Sequence, residues 1–179
     1  MEILLLDGNT ATASTSGRLV GCIQHSLEQS HPHVRASLLD RRLLRLPGLD
    51  SAAFDTGVLE HDPDVRHLRE RLASAQAVVL VTPVNHGSYA GGLKNLLDHA
   101  PRRALQHKAA LVAAAGSTLH PGATACDHLR AVVRSMGAWT VPTQLIAERA
   151  DLAGGEVPQR LAARIDRAVG ELMLAVSLL

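Results

Sequence analysis

Residues 77–98, AVVLVTPVNHGSYAGGLKNLLD, limit what this chain can fold into more than any other stretch. A β-branched and apolar run (Val78, Val79, Leu80, Val81) stops at Thr82-Pro83, a short polar turn follows, and behind Ser88 the apolar positions Leu93, Leu96 and Leu97 recur at helical spacing. The pattern predicts a strand buried on both faces, a turn at its carboxyl end and a helix opening after it. In open parallel sheets the N–H groups of strand ends and helix starts face one crevice, so this turn is expected to border a binding site.

The same alternation runs along the whole chain. Residues 1–6 are a nearly continuous apolar run, as in a central strand, and Leu19, Val20, Ile23 and Leu27 follow at a helical period. Val34, Ala36 and Leu38 alternate with Arg35 and Ser37 as an edge strand would. Residues 40–60 are irregular, with Pro47, Gly48 and Gly57 between charged clusters, and read as a functional or interfacial loop with room for a short helix. Val65, Leu68 and Leu72 restore the helical period, and residues 109–115 make a further buried strand closed by Gly116-Ser117-Thr118. A helix carrying Leu129, Val132, Val133 and Met136, a short strand near 139–141 and a last helix from about Leu161 to Val176 complete the chain. Strands and helices in strict alternation predict a parallel sheet covered on both faces. Five strands fit a flavodoxin-like three-layer sandwich in the order 2-1-3-4-5, with its switch point between strands 1 and 3. The competing dinucleotide fold wants G-x-G-x-x-G after strand 1, which this chain lacks. Its 179 residues suit one domain spanning 1–179.

A net charge of +1 with mixed signs gives no reason to expect nucleic acid or an anionic membrane as partner. No apolar run is long enough to span a bilayer, and MEILLLDGNT is too short and acidic for a signal peptide, so the expected location is cytoplasmic. Cys22 and Cys126 lie far apart and outside any C-x-x-C spacing, and read as small buried or half-buried residues. Three aromatics, Phe54, Tyr89 and Trp139, leave few rings on which a flat ligand could stack.

Three loops are expected on one sheet edge. The first, residues 8–19, carries Asn9 and five hydroxyls (Thr10, Thr12, Ser14, Thr15, Ser16) at a helix start. One hydroxyl suffices to cap a helix. Five within seven residues favour a phosphate cradle. The second loop, residues 82–88, and the third, residues 116–122, flank it and can hold a planar ring with backbone groups.

The pattern G-x-x-x-x-x-S-x-[ST] after strand 1, with TPV-x-x-x-x-Y-x-G-x-LKN-x-LD after strand 3, resembles the NAD(P)H-dependent FMN reductases of flavodoxin-like fold. The likeness is greatest to those that supply reduced flavin to two-component monooxygenases. It covers residues 4 to about 138, and the LKN-x-LD segment is its most specific part. The resemblance implies FMN and NAD(P)H as cofactors, a homodimer or homotetramer, a small acceptor or free flavin as substrate, and a monooxygenase as a possible partner. It assigns Asn9, Thr10, Ser14 and Ser16 to the FMN phosphate. Pro83, Val84, Asn85, His86, Gly87 and Ser88 would pass along the flavin ring, with Gly116 and Ser117 closing its other side. Two positions depart from the pattern. Ala11 stands where the family has an arginine on the phosphate, and Asn85 where it has a tyrosine by the ring. Loss of the charged contact is expected to weaken FMN binding by about 1–3 kcal/mol.

Flavin chemistry needs no protein nucleophile or metal. The chain has no G-x-S-x-G, Walker loop or H-E-x-x-H to supply one. His86 is the titratable side chain of the central turn, and two readings stand for it: a catalytic contact to flavin, nicotinamide or acceptor, or a solvent-facing loop residue. Lys94 and Asn95 read as structural. Cys126 and His128, two apart on a helix, point in different directions, so no metal is expected. The arginine groups Arg41, Arg42, Arg45 and Arg102, Arg103 read as solvated faces, or as contacts to the extra phosphate of NADPH. An electron carrier is disfavoured because such proteins are strongly acidic. The alternative kept open is a family member that has left FMN redox chemistry and binds another ligand or a protein partner.

Overall fold

The computed structural model describes residues 1–11, 13–50, 52 and 61–179. The expected loop over 40–60 and the hydroxyl of Thr12 therefore fall partly or wholly outside the described residues. In chain order the elements are β1 (Glu2–Asp7), α1 (Thr15–Ser30), β2 (Arg35–Leu38), a 3-10 turn (Arg41–Arg45), α2 (Pro63–Ser74), β3 (Ala77–Pro83), α3 (Gly91–Asp98), β4 (Ala109–Gly116), α4 (Leu119–Ser135), β5 (Trp139–Thr140), β6 (Leu145–Glu148), a second 3-10 turn (Arg149–Leu152) and α5 (Gln159–Leu178).

The sheet is parallel and runs β2-β1-β3-β4-β5, as the alternation predicts, with β6 also paired to β4. Successive residues of each central strand face opposite layers. Leu4, Leu6, Val78, Leu80, Ala110 and Val112 pack under α2, α3 and α4, whereas Ile3, Leu5, Val79, Val81, Leu111 and Ala113 pack under α1 and α5. That two-sided burial explains why these strands are apolar throughout rather than alternating.

The fifth strand departs from the expected span of 139–141. Trp139 and Thr140 pair with Ala109 and Ala110, and the ladder resumes only when Leu145 meets Ala113. Pro142 has no N–H to give to the ladder. The interrupted backbone is instead satisfied from the helices. Arg130 donates to the Val141 carbonyl at 2.7 Å, Arg164 to the Gln144 carbonyl at 3.0 Å, and the Glu171 carboxylate accepts from the Thr143 N–H at 2.8 Å. One strand expected from sequence is thus two in the structure.

The helix after β3 also starts later than Ser88. Its N-cap is Ala90, with no side-chain cap, and the Thr82 hydroxyl accepts the Ala90 N–H at 2.9 Å. Lys94 pairs with Asp98 one turn on in its own helix, and Asn95 holds the 46–49 segment by donating to the Leu46 carbonyl (2.8 Å) and accepting from the Leu49 N–H (3.1 Å). Among the described residues no helix is long and apolar enough to cross a membrane.

Candidate functional site

At the carboxyl ends of β1 and β3, where the chain leaves the sheet in opposite directions, lies an open crevice of about 760 Å³. That volume is in the range of small-molecule and cofactor sites. Its first wall grows from the end of β1. The Asp7 carboxylate is fully buried and held by Arg41 at 2.9 Å, and its other oxygen accepts the Asn9 N–H at 3.1 Å. Asn9 in turn accepts the Ala11 N–H at 3.0 Å, which folds the loop back over the strand end. Gly8 passes close to the core, donating to the Val81 carbonyl at 2.7 Å.

Ser14 caps α1, its hydroxyl accepting the Gly17 N–H at 3.0 Å, and lies 3.2 Å from the hydroxyl of the buried Ser16. The first N–H groups of α1 have no carbonyl of their own helix to bond, so together with these hydroxyls they form an anion-binding start. Asn9, Ser14, Thr15 and Ser16 all line the crevice. Thr10 is exposed and stands outside its lining.

The opposite walls are Pro83, Val84 and Asn85 after β3, and Ala115, Gly116 and Ser117 at the end of β4. Gly116 is required there, since a Cβ would stand 2.8 Å from Val84 Cγ2. Beyond Asn85 the chain makes a two-residue hairpin turn. The Asn85 N–H donates to the Ser88 carbonyl at 2.8 Å, the Ser88 N–H returns to Asn85 at 3.0 Å, and His86 (φ 48°) and Gly87 (φ 73°) occupy the left-handed region such a turn needs. His86 is exposed at the tip of the turn, and neither it, Gly87 nor Ser88 lines the crevice. The Ser88 hydroxyl instead meets His128 Nδ1 on α4 at 2.9 Å, tying the hairpin to that helix. Cys126, fully buried, and His128, engaged with Ser88, do not share a ligand position.

Two cations also line the crevice, Arg18 from α1 and Arg149 from the turn after β6, and no carboxylate does among the described residues. Arg18 belongs to the 8–19 stretch already expected at the site, where its charge shows no role in the sequence, and Arg149 arrives from an element that shows no motif there. The crevice is thus lined by a helix start, hydroxyls and two arginines, together with the backbone-rich ends of β3 and β4. Those donors fit a phosphorylated ligand with a flat ring. A second, more apolar cavity of about 780 Å³ lies between α1 and α5. It contains no strand end or helix start to supply free N–H groups, so the crevice at the switch point is the better match to the expected site.

The sequence profile of the NADPH-dependent FMN reductases matches residues 1–151. The chain belongs to that family. It is 32% identical over 158 residues to an FMN-dependent NADPH-azoreductase of Staphylococcus aureus, covering 87% of this chain and 81% of that one. The fold is shared with an NADH:FMN oxidoreductase, EmoB, at TM-score 0.77 and 24% identity over 97% of this chain and 89% of the other. It is shared too with the NAD(P)H:acceptor oxidoreductase FerB of Paracoccus denitrificans, at TM-score 0.77 and 19% identity over 97% and 98%. Family membership makes the chain an FMN- and NAD(P)H-dependent oxidoreductase of flavodoxin-like fold, as its motifs imply.

Proposed function

We propose that this chain uses NAD(P)H to reduce FMN held in the switch-point crevice and passes the electrons to a small acceptor such as an azo compound, a quinone or free flavin. The observation that carries the placement is the crevice itself, which joins a hydroxyl-rich helix start and two arginines to the strand ends that carry Val84 and Gly116. When bound, FMN supplies the hydride chemistry, and the protein contributes binding, alignment and exclusion of water. Asn9, Ser14 and Ser16 orient the phosphate from the α1 side. Pro83, Val84 and Asn85 support one side of the ring, and Gly116 and Ser117 close the other. An azo acceptor is the substrate class named for the Staphylococcus relative. His86 lies one residue beyond Asn85, exposed and outside the crevice lining, and is therefore assigned to NAD(P)H or the acceptor rather than to FMN. A cytoplasmic homo-oligomer delivering reduced flavin to a monooxygenase belongs to the same reading.

The test is a titration of flavin-stripped protein with FMN, followed by fluorescence quenching, with NADPH oxidation assayed in the same samples. Micromolar or tighter binding with turnover is expected. In His86→Asn, which keeps a residue tolerant of the turn's φ, KM for NADPH or the acceptor rises while FMN affinity holds. Absence of both binding and turnover would overturn the proposal in favour of a member that has left flavin chemistry.

A further inference from the structure

Arg149 follows the last residue of β6, and its backbone is fixed by the turn it opens. The Glu148 carboxylate and the Asp151 side chain cap that turn reciprocally, the Glu148 N–H donating to Asp151 at 3.1 Å. The same two acids are occupied elsewhere as well. Glu148 accepts the Leu119 N–H at 3.2 Å, and Asp151, nearly buried, pairs with Arg160 at 2.5 Å. Arg18, the other cation of the crevice, donates to the Leu152 carbonyl at 2.5 Å and so is partly committed to holding that turn against α1. The Arg149 side chain, by contrast, makes no hydrogen bond or ion pair among the described residues. Among the described residues no carboxylate lines the crevice to neutralise it, and Ala11 brings no charge to the first loop. A guanidinium presents planar paired donors that match a phosphate.

We propose that Arg149, on the turn that Arg18 ties to α1, grips the phosphomonoester of the flavin, supplying the charged contact that Ala11 cannot. This rests on the flavin reading above and adds to it a residue from the far end of the sheet. Riboflavin, which has the ring but no phosphate, separates the two.

The experiment titrates flavin-stripped wild type, Arg149→Ala and Arg149→Lys with FMN and with riboflavin by fluorescence quenching, with thermal melts to verify folding. In Arg149→Ala the Kd for FMN is expected to rise about 10- to 100-fold while that for riboflavin stays within about twofold, with Arg149→Lys between. Unchanged FMN affinity in Arg149→Ala, or equal losses for both flavins, would overturn the proposal while leaving the flavin reading intact. A wild type that binds neither flavin overturns both.

Discussion

Gly116 and Val84 pack directly against each other in the lining of the crevice, and a Cβ on Gly116 would come within 2.8 Å of Val84 Cγ2 and 3.2 Å of its Cβ. Both line the crevice proposed to hold the flavin ring, so the cost of an added methyl is expected to fall on binding as well as on folding. In Gly116→Ala, Val84 must move, and overpacking of this kind costs about 1–3 kcal/mol. Urea denaturation should show that loss, and FMN titration a weaker Kd. Val84→Ala added to Gly116→Ala should recover part of both, because the two side chains compete for one space. If the double variant merely sums the two single effects, the contact does not shape the crevice wall. At this scale the sequence marks Gly116 by its place after a buried run. What it leaves unsaid is that the glycine answers to a valine more than thirty residues earlier.

At the scale of the element, the turn after β6 organises one side of the crevice without lending it an acid. Asp151 is held below the usual carboxylate range, first by the hydrogen bond from Arg160 and then by the Glu148 N–H and the charges of Arg160 and Arg164, against the opposing effect of burial. Its pKa is therefore lower folded than unfolded, so it contributes stability that is present above the unfolded value and lost as pH falls through the folded one. Measured from pH 6 downward, stability should begin to fall near the ordinary aspartate value of 3.8 and continue below it. Asp151→Asn should flatten that acid limb and lower stability at neutral pH. An acid limb unchanged by the substitution would mean that other carboxylates carry it. The same element holds Arg149, so loosening it should also weaken FMN more than riboflavin.

For the whole molecule, two apolar layers clamp a parallel sheet, and the cysteines report how firmly. Cys126 is fully buried on the α4 side, and desolvation, aided by the charge of Asp127, pushes its thiol up to about 12. Cys22 is half-buried on α1, and burial raises its thiol too. Since the thiolate is the reactive form, Cys126 in a Cys22→Ser background should react with a disulfide-exchange reagent at pH 8 only as fast as the protein opens globally. Its labelling rate should climb with urea in step with loss of helical circular dichroism. Rapid labelling in the absence of denaturant would show local opening of α4, and would contradict this picture of its packing.

The sequence by itself determined the alternation of strands and helices, the two-sided burial of β1, β3 and β4, the sheet order and the family, because each is written in residues that are neighbours along the chain or recur at a fixed period. It also placed Asn9, Ser14, Ser16, Pro83, Val84, Asn85, Gly116 and Ser117 around one crevice. Only the tertiary structure decided the rest. It divided the last strand at Pro142, where arginines of α4 and α5 satisfy the backbone. It neutralised Asp7 with Arg41, thirty-four residues away, and set His86 at the exposed tip of a hairpin, outside the crevice lining. It brought Arg149 to the crevice beside Arg18 of the first loop, from more than a hundred residues further along the chain. Local pattern fixes which face of an element is buried, but the partner of a charge is set by how elements meet, and no sequence period encodes that meeting.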